Sequence, residues 1–595
     1  MKTLFAWLDQ RTGYKKLISE ALFENVPGGA RWRYVWGSTL VFTLSVQFIT
    51  GIVLWMCYSP SAQTAWESVY YVQNSMKGGW LLRGLHHYTA QAMNILLVLH
   101  LMQVVIDGAY KAPREVNFWF GLILLQLTLA LSLTGYLLPW DQKGFWATKV
   151  ATSIAAITPV IGPSLQKLII GGSDYGHHTL TRFFALHAGV IPGAIIVLLV
   201  GHIYLFRRHG VTPKEPRLRP DVAFWPDQVL KDIVASLAVL AAVLFLAVRN
   251  HGSDLGAPAD PAEQFSAARP EWYFLFLFQF LKYFPGGTEI WGAMIIPGVI
   301  MLILFLMPFL GNWKLGHRFN LVLLVALGLG IAFLTERALR EDRLNPDYQA
   351  AVKQADIEAE RVRVLAGSPQ GIPAAGAASL LREDPFVQGP KLFKKNCASC
   401  HRYDGNDGMG QPLKDAPKAS DLKDYGSREW LAGLLDPKTI VTVHYFGGTK
   451  FKDGKMVKFV QKDVTAYAPE QKANLQKIIA AVSAEAGLPA QKEIDASGKA
   501  DITAGAALMH GDMRCGECHQ FHKQDEDATA LDLTGYASRQ WLVDFISNPA
   551  HARFYGSRND HMPKFGEDKM LDPKTIGLLA DWLRGDWYRA SAVEK

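Results

Sequence analysis

The chain has 595 residues, 49% of them hydrophobic and 19% charged, with a net charge of +7; at roughly 150 residues per domain it holds several domains. A mean hydropathy of +0.07 is too apolar for an ordinary soluble enzyme and too mixed for a chain that is membrane throughout. The first 337 residues carry 26 Lys and Arg against 18 Asp and Glu, so the basic excess lies in the apolar part. That placement fits membrane loops, and no basic run interleaved with aromatics points to a nucleic-acid partner.

In chain order, the first 30 residues are amphipathic, with Phe5, Trp7 and Leu8 beside Lys15, Lys16 and Glu20. They lack the apolar core and small-residue site of a cleavable signal peptide. Apolar stretches able to cross about 30 Å of hydrocarbon fall at 36–57, 84–106, 117–138, 183–206 and 290–311. Two shorter ones, 233–248 and 319–334, have flanks (Lys231, Asp232, Arg318, Arg337) that can snorkel, which makes seven helices. Lys15, Lys16, Arg31, Arg33, Lys111, Arg114, Arg207, Arg208, Lys214, Arg217, Arg219, Lys314 and Arg318 all fall in loops on one side, which the positive-inside rule makes cytoplasmic. The N-terminus is then cytoplasmic, and an odd number of spans delivers the C-terminus to the outer side.

Residues 338–385, rich in Ala, Glu, Arg, Gly and Pro, read as a helical continuation and then a flexible linker around Gly367-Ser368-Pro369-Gln370-Gly371-Ile372-Pro373. The remainder is soluble and repetitive. Asp421-Leu422 to Trp430-Leu431 matches Asp532-Leu533 to Trp541-Leu542, and Met456-Val457-Lys458-Phe459 matches Met562-Pro563-Lys564-Phe565. Two small helical domains follow, 386–490 and 491–595.

Four of the five cysteines lie in two Cys-x-x-Cys-His units, Cys397/Cys400/His401 and Cys515/Cys518/His519. A lone Cys-x-x-Cys can be redox-active or half of a zinc site, but with His following, and twice over, the pattern is covalent attachment of c-type haem. The fifth, Cys57, reads as a packed free thiol. His401 and His519 are the proximal ligands. A thioether sixth ligand raises the potential, and Met562, 43 residues after His519, is the choice for the second copy. For the first copy the repeat selects Met456, 55 residues after His401, over the nearer Met409 in a Gly-Met-Gly loop.

Within the membrane, His86 and His100 are 14 residues apart on the second span, and His187 and His202 are 15 apart on the fourth. Each pair is separated by about 21–22 Å along its helix and turned by only about −40° or +60°. Facing helices thus offer two stacked bis-histidine sites, one near each membrane surface. A single intramembrane histidine is explained by a hydrogen bond to a neighbour; matched pairs are not, since buried ionisable groups are costly in a bilayer. Gly37 and Gly51 on the first span, and Gly121 and Gly135 on the third, repeat the 14-residue spacing. Small residues can merely let helices approach, but at this spacing they mark gaps through which two porphyrins pass.

The runs Arg83-Gly84-Leu85-His86, Thr134 to Gln142 (TGYLLPWDQ), Arg182 to His187 (RFFALH) and Pro270-Glu271-Trp272-Tyr273 resemble cytochrome b of the bc1 and b6f complexes, closest to cytochrome b6 over 1–224 and subunit IV over 225–337. The tail resembles class I cytochromes c through short motifs. The fold class is therefore all-α, a seven-helix membrane core followed by two cytochrome c domains.

The resemblance implies an outer haem b on His86 and His187, an inner haem b on His100 and His202, and Arg83 at a haem propionate. It implies a quinol-oxidation site at Pro270, Glu271, Trp272 and Tyr273, with Glu271 taking a quinol proton. Where cytochrome b6 carries a cysteine for an extra haem, this chain reads Tyr34-Val35-Trp36, so no third membrane haem is expected; Arg207 and Asp232 are the candidates at the inner quinone site. Cys57 alone cannot supply the two cysteines of a Rieske cluster, so a separate Rieske protein is the implied partner. A soluble cytochrome c or terminal oxidase is the acceptor, lipid the surroundings, a homodimer the assembly and the bacterial inner membrane the location. The implied function is a quinol:cytochrome c oxidoreductase that bifurcates electrons and translocates protons. The alternatives are a non-bifurcating b–c conduit and a haem redox sensor.

Overall fold

The computed structural model describes residues 2–212, 220–523, 528–559 and 561–590; Lys214, Arg217 and Arg219 lie outside them. Two compact units result, one running to Glu360 and including Ile372–Ala378, the other formed by Arg361–Gly371 and Ser379 onward.

Among the described residues, the first unit holds seven helices long and apolar enough to span a membrane: α1 Trp32–Cys57, α2 Gly79–Ile106, α3 Glu115–Tyr136, α4 His177–His209, α5 Asp227–Arg249, α6 Trp291–Leu310 and α7 Gly316–Leu344. The two borderline stretches reach full length because α5 and α7 continue through their charged ends. Apolar side chains such as Val197, Val322 and Leu329 point outward, 72%, 67% and 67% exposed. An apolar belt of that extent belongs against lipid. Inside the bundle the buried polar groups are mainly threonines on the helix walls, and Thr39, Thr50, Thr128 and Thr134 return their hydroxyl protons to carbonyls four residues back.

Side chains from several loops tie together one end of the bundle. Arg33 pairs with Asp107, Arg114 donates to His209 O at 2.8 Å, Arg207 meets Glu24 at 3.3 Å, and Tyr110 meets His317 Nδ1 at 2.9 Å. The opposite end is covered by helices Gln142–Ala156 and Gly162–Ile170 and by the 250–271 loop. Asp141 caps the first of these, accepting from Gly144 N–H at 2.8 Å, and holds the loop through Gly256 N–H at 3.1 Å.

Over residues 338–385, α7 runs to Leu344 and a further helix spans Pro346–Ala366, the helical continuation expected there. Ala, Glu and Arg favour this conformation, and only the Gly- and Pro-containing stretch beyond it is irregular.

The second unit contains α8 Pro385–Asn396, α9 Arg428–Leu434, α10 Lys455–Lys462, α11 Pro469–Ala486, α12 Lys499–Leu508, α13 Arg539–Ser547 and α14 Pro573–Arg584. The repeat is visible in its caps: Ser427 accepts from Trp430 N–H at 3.0 Å, and Ser538 from Trp541 N–H at 3.3 Å. The two copies do not keep separate cores, however. One cluster joins Trp430, Val460 and Ile478 of the first to Met509, Phe521 and Trp541 of the second.

Candidate functional site

Helices α2 and α4 bring the four intramembrane histidines into two pairs. The His86 and His187 rings are centred 6.3 Å apart, those of His100 and His202 6.5 Å. Two metal–nitrogen bonds of about 2.0 Å each, with the ring radii added, span roughly that distance, so each pair is open by one metal atom. The 15-residue spacing on α4 matches the 14 on α2 because Leu186–Val190, which contains His187, is a turn of π-helix that inserts one residue.

Three of the four remaining ring nitrogens are held. Thr50 Oγ1 lies 2.8 Å from His86 Nδ1 and, having donated to Val46 O at 2.7 Å, accepts from the ring. His187 Nδ1 reaches Leu131 O at 3.1 Å, and His202 Nδ1 reaches Asn117 O at 3.0 Å. Such bonds fix the tautomer and leave Nε2 free for a metal. His100 Nδ1 is buried without a hydrogen-bond partner.

The four glycines each face one histidine. A Cβ at Gly37 would lie 3.6 Å from His100 Cε1, at Gly51 3.2 Å from His86 Cε1, at Gly121 3.4 Å from His202 Cε1 and at Gly135 2.5 Å from His187 Cε1. Side chains there would enter the very space that a planar ligand between the histidines needs. The residues present therefore fit a porphyrin at each pair, with the tightest fit at the His86/His187 pair.

The cavity beside His100 and His202 has a volume of about 420 Å³ and continues past Gly37 and Gly121 to Arg207, Gln228 and Asp232. Both residues expected at the inner quinone site thus line the same space. Gln228 Nε2 donates to Asp232 at 2.8 Å while its oxygen accepts from Arg31 N–H at 2.8 Å, and Arg207 is held by Glu24.

At the other end, Pro270-Glu271-Trp272-Tyr273 enters the one-turn helix Trp272–Phe274. Trp272 Nε1 reaches Gln91 Oε1 at 3.4 Å, and Tyr136 OH reaches Arg269 O at 3.3 Å. Burial pushes the Glu271 carboxyl above the ordinary carboxylate range, with Lys143 opposing. Arg83 is turned to the 250–271 loop, donating to Ser253 O at 2.5 Å, Asp254 O at 2.6 Å and Gln73 Oε1 at 2.9 Å. Only its remaining N–H groups are left for a propionate.

Sequence reasoning missed the anchor of this loop. Arg269 binds Asp342 through Nε at 2.9 Å and Nη2 at 2.6 Å and stacks at 4.0 Å over Tyr348. A bidentate guanidinium–carboxylate pair fixes orientation as well as position. No motif marks it, because its partners are 73 and 79 residues away in the chain.

In the second unit, His401 Nδ1 meets Ser420 O and His519 Nδ1 meets Leu531 O, each at 2.8 Å, again leaving Nε2 free. Burial pushes the Cys397 thiol up to about 12 and the Cys515 thiol to about 11. A redox-active Cys-x-x-Cys needs a lowered thiol pKa instead. Cys397 and Cys515 both pack into apolar cores, as do Met562 and Met456.

Histidine pairs stacked across a helical bundle, glycine gaps opposite them and two Cys-x-x-Cys-His units define a membrane haem protein with a c-type arm. The comparisons agree. Residues 24–210 match the family Cytochrome b/b6/petB, 258–335 match Cytochrome b(C-terminal)/b6/petD and 386–476 match Cytochrome c. Cytochrome b of Rhodobacter capsulatus is 32% identical over 49% of this chain and 70% of its own length. The menaquinol:cytochrome c reductase cytochrome b subunit of Geobacillus thermodenitrificans is 36% identical over 36% of this chain and 98% of its own length. Cytochrome b6 of a Synechococcus strain is 36% identical over 36% and 99%. A hyperthermophilic respiratory Complex III structure aligns with a TM-score of 0.50 at 26% identity, covering 60% of this chain and 95% of that one. The chain belongs to the cytochrome b/b6 family and carries a cytochrome c region at its C-terminus.

Proposed function

We propose that the protein is the bifurcating subunit of a quinol:cytochrome c oxidoreductase in a bacterial inner membrane, with its c-type arm on the outer side. The observation that carries this reading is the pair of stacked histidine sites, each opposite its own glycines. One site alone would serve an anchor or a sensor; two in line connect opposite faces of the membrane.

When bound, two haems b and two haems c supply one-electron carriage in two directions, inward along the histidine pairs and outward through a Rieske partner to the c-type arm. The chain's own residues do the rest. Glu271 accepts a proton as quinol is oxidised, its burial setting its basicity closer to that task than an exposed carboxylate's. Trp272, within reach of Gln91, and Tyr273 flank Glu271, and Arg269 fixes the loop that presents them. Arg207 and Asp232, at the far end of the inner cavity, stand where a quinone taking up cytoplasmic protons is held. Protons are then released outside and taken up inside. A soluble cytochrome c or terminal oxidase is the final acceptor, and the working assembly is a homodimer with the Rieske protein.

The test is a haem count and a quinol-driven assay on the purified complex. The reading expects two non-covalent b haems, two covalent c haems and reduction of soluble cytochrome c that stops when the Rieske protein is removed. Undiminished c-haem reduction without a Rieske protein would replace it with a linear conduit.

A further inference from the structure

The two copies of the c-type arm exchange their closing helices. Helix α8, which leads into Cys397, does not pack on α11, the last helix of its own copy; its partner is α14, the last helix of the second copy. Gly389 of α8 sits so close to Trp582 of α14 that a Cβ has no room. The Phe393 ring lies 5.4 Å from Trp582, and Tyr403, two residues past His401, stacks on it at 4.3 Å. Lys574 of α14 meets Glu383 at 2.6 Å.

The exchange is reciprocal. Helix α12, which leads into Cys515, packs on α11 of the first copy, with Gly505 placed directly against Lys477 O. Arg514 faces Asp463 at 3.5 Å, and Tyr467 OH reaches Met513 O at 3.4 Å. The copies touch at matching bends, where Tyr425 and Tyr536 are 5.4 Å apart and Gly426 and Ala537, both with positive φ (82° and 58°), lie back to back.

The methionines travel with the helices. Phe393, Ala398, Ile546, Phe565, Ile576, Leu579 and Trp582 form one core, and both Cys397 and Met562 pack against it. Met456 packs against the larger cluster, in which Ile478 and Val482 of α11 meet Met509 and Met513, and Cys515 packs against the same cluster. The proximal side stays at home: His401 bonds Ser420 O, and Asp421 N–H bonds His444 O at 2.9 Å.

We infer that the sixth ligands are crossed: Met562 serves the haem carried by Cys397, Cys400 and His401, and Met456 serves the haem carried by Cys515, Cys518 and His519. This rests on the reading of both motifs as haem c sites and reverses the pairing expected from the sequence, in which Met562 goes with His519 and the repeat assigns Met456 to His401. Each haem is then enclosed by both copies. Neither copy holds a complete site without the other, and a change at one methionine acts on the haem attached more than 160 residues before it or about 60 after it.

The test uses the full complex with Cys515→Ala and Cys518→Ala, which leaves one covalent haem on Cys397 and Cys400. The readout is the red-region charge-transfer band of methionine-ligated ferric haem, with the reduction potential beside it. Adding Met562→Ala is expected to abolish the band and lower the potential, whereas adding Met456→Ala leaves both. The opposite outcome, or a band that survives both changes, overturns the crossed assignment. As a check that needs no variant, zero-length carbodiimide coupling of the unmodified complex should join Glu383 to Lys574; coupling of residues 383–396 to 469–486 in its place overturns the exchange. Absence of covalent haem from the unmodified complex would instead remove the haem c reading beneath it.

Discussion

The membrane unit and the c-type unit build haem sites from the same ingredients, a histidine and an apolar wall, but by opposite means. In the membrane unit every defining residue recurs one matched interval along its helix, 14 residues or 15 where a π turn adds one, so two sites arise from one pattern applied twice. In the c-type unit a five-residue motif fixes one side of each site, and the other side comes from distant chain chosen by packing. A periodic site is specified by local geometry, and a packed site depends on which helices find each other. The first should fail one haem at a time; the second should transmit damage between copies.

The largest effect expected from this contrast is at the membrane ligands. His187→Ala should eliminate the outer b haem and nearly all quinol-driven turnover while the inner b spectrum and both c haems persist. Loss of both b haems together would show that the two slots are not independent.

Next come the glycines, which grade the fit. Gly135→Ala should weaken or empty the outer slot, since its Cβ would lie 2.5 Å from His187, whereas Gly37→Ala, at 3.6 Å from His100, should be tolerated. Equal haem content in the two variants would refute the cradle.

Glu271→Gln should lower turnover by about 10²-fold, the low end for loss of a positioned proton acceptor. Because burial raises the Glu271 carboxyl above its ordinary value of 4.5, the group is an effective base only above that raised pKa. Wild-type turnover should therefore climb with pH beyond the ordinary carboxylate range and then level, and the variant should lose that climb. A pH profile identical in shape would remove Glu271 from the proton path.

The smallest effect is at the loop anchor. Asp342→Asn keeps the shape but removes the charge opposite Arg269, and should reduce turnover several-fold without changing haem content. Arg269→Lys should be no better, since an ammonium cannot reproduce the forked, stacked contact.

Much of this was legible in the sequence for physical reasons. Helix periodicity converts residue numbers into distances, so His86, His100, His187 and His202 with their glycines could be placed before any coordinates. Cys-x-x-Cys-His is equally self-contained. What escaped is what local geometry does not encode. The π turn at His187 hides in the difference between 15 and 14 residues; a mismatch of that kind on facing helices is a usable signal. The pairing of Arg269 with Asp342, the turn of Arg83 onto the 250–271 loop, and the crossing of α8 and α14 depend on tertiary packing, to which repeat alignment is blind. The helix Pro346–Ala366 falls in the part of 338–385 read as a helical continuation from its Ala, Glu and Arg content.

The central claim, that quinol's two electrons part at the Glu271 site, is tested most directly by oxidant-induced reduction. Membranes with a reduced quinone pool and the inner site inhibited receive a pulse of oxidant while b and c absorption are followed separately. The account predicts that the b haems become more reduced as the c haems are oxidised; oxidation of both sets together would contradict it.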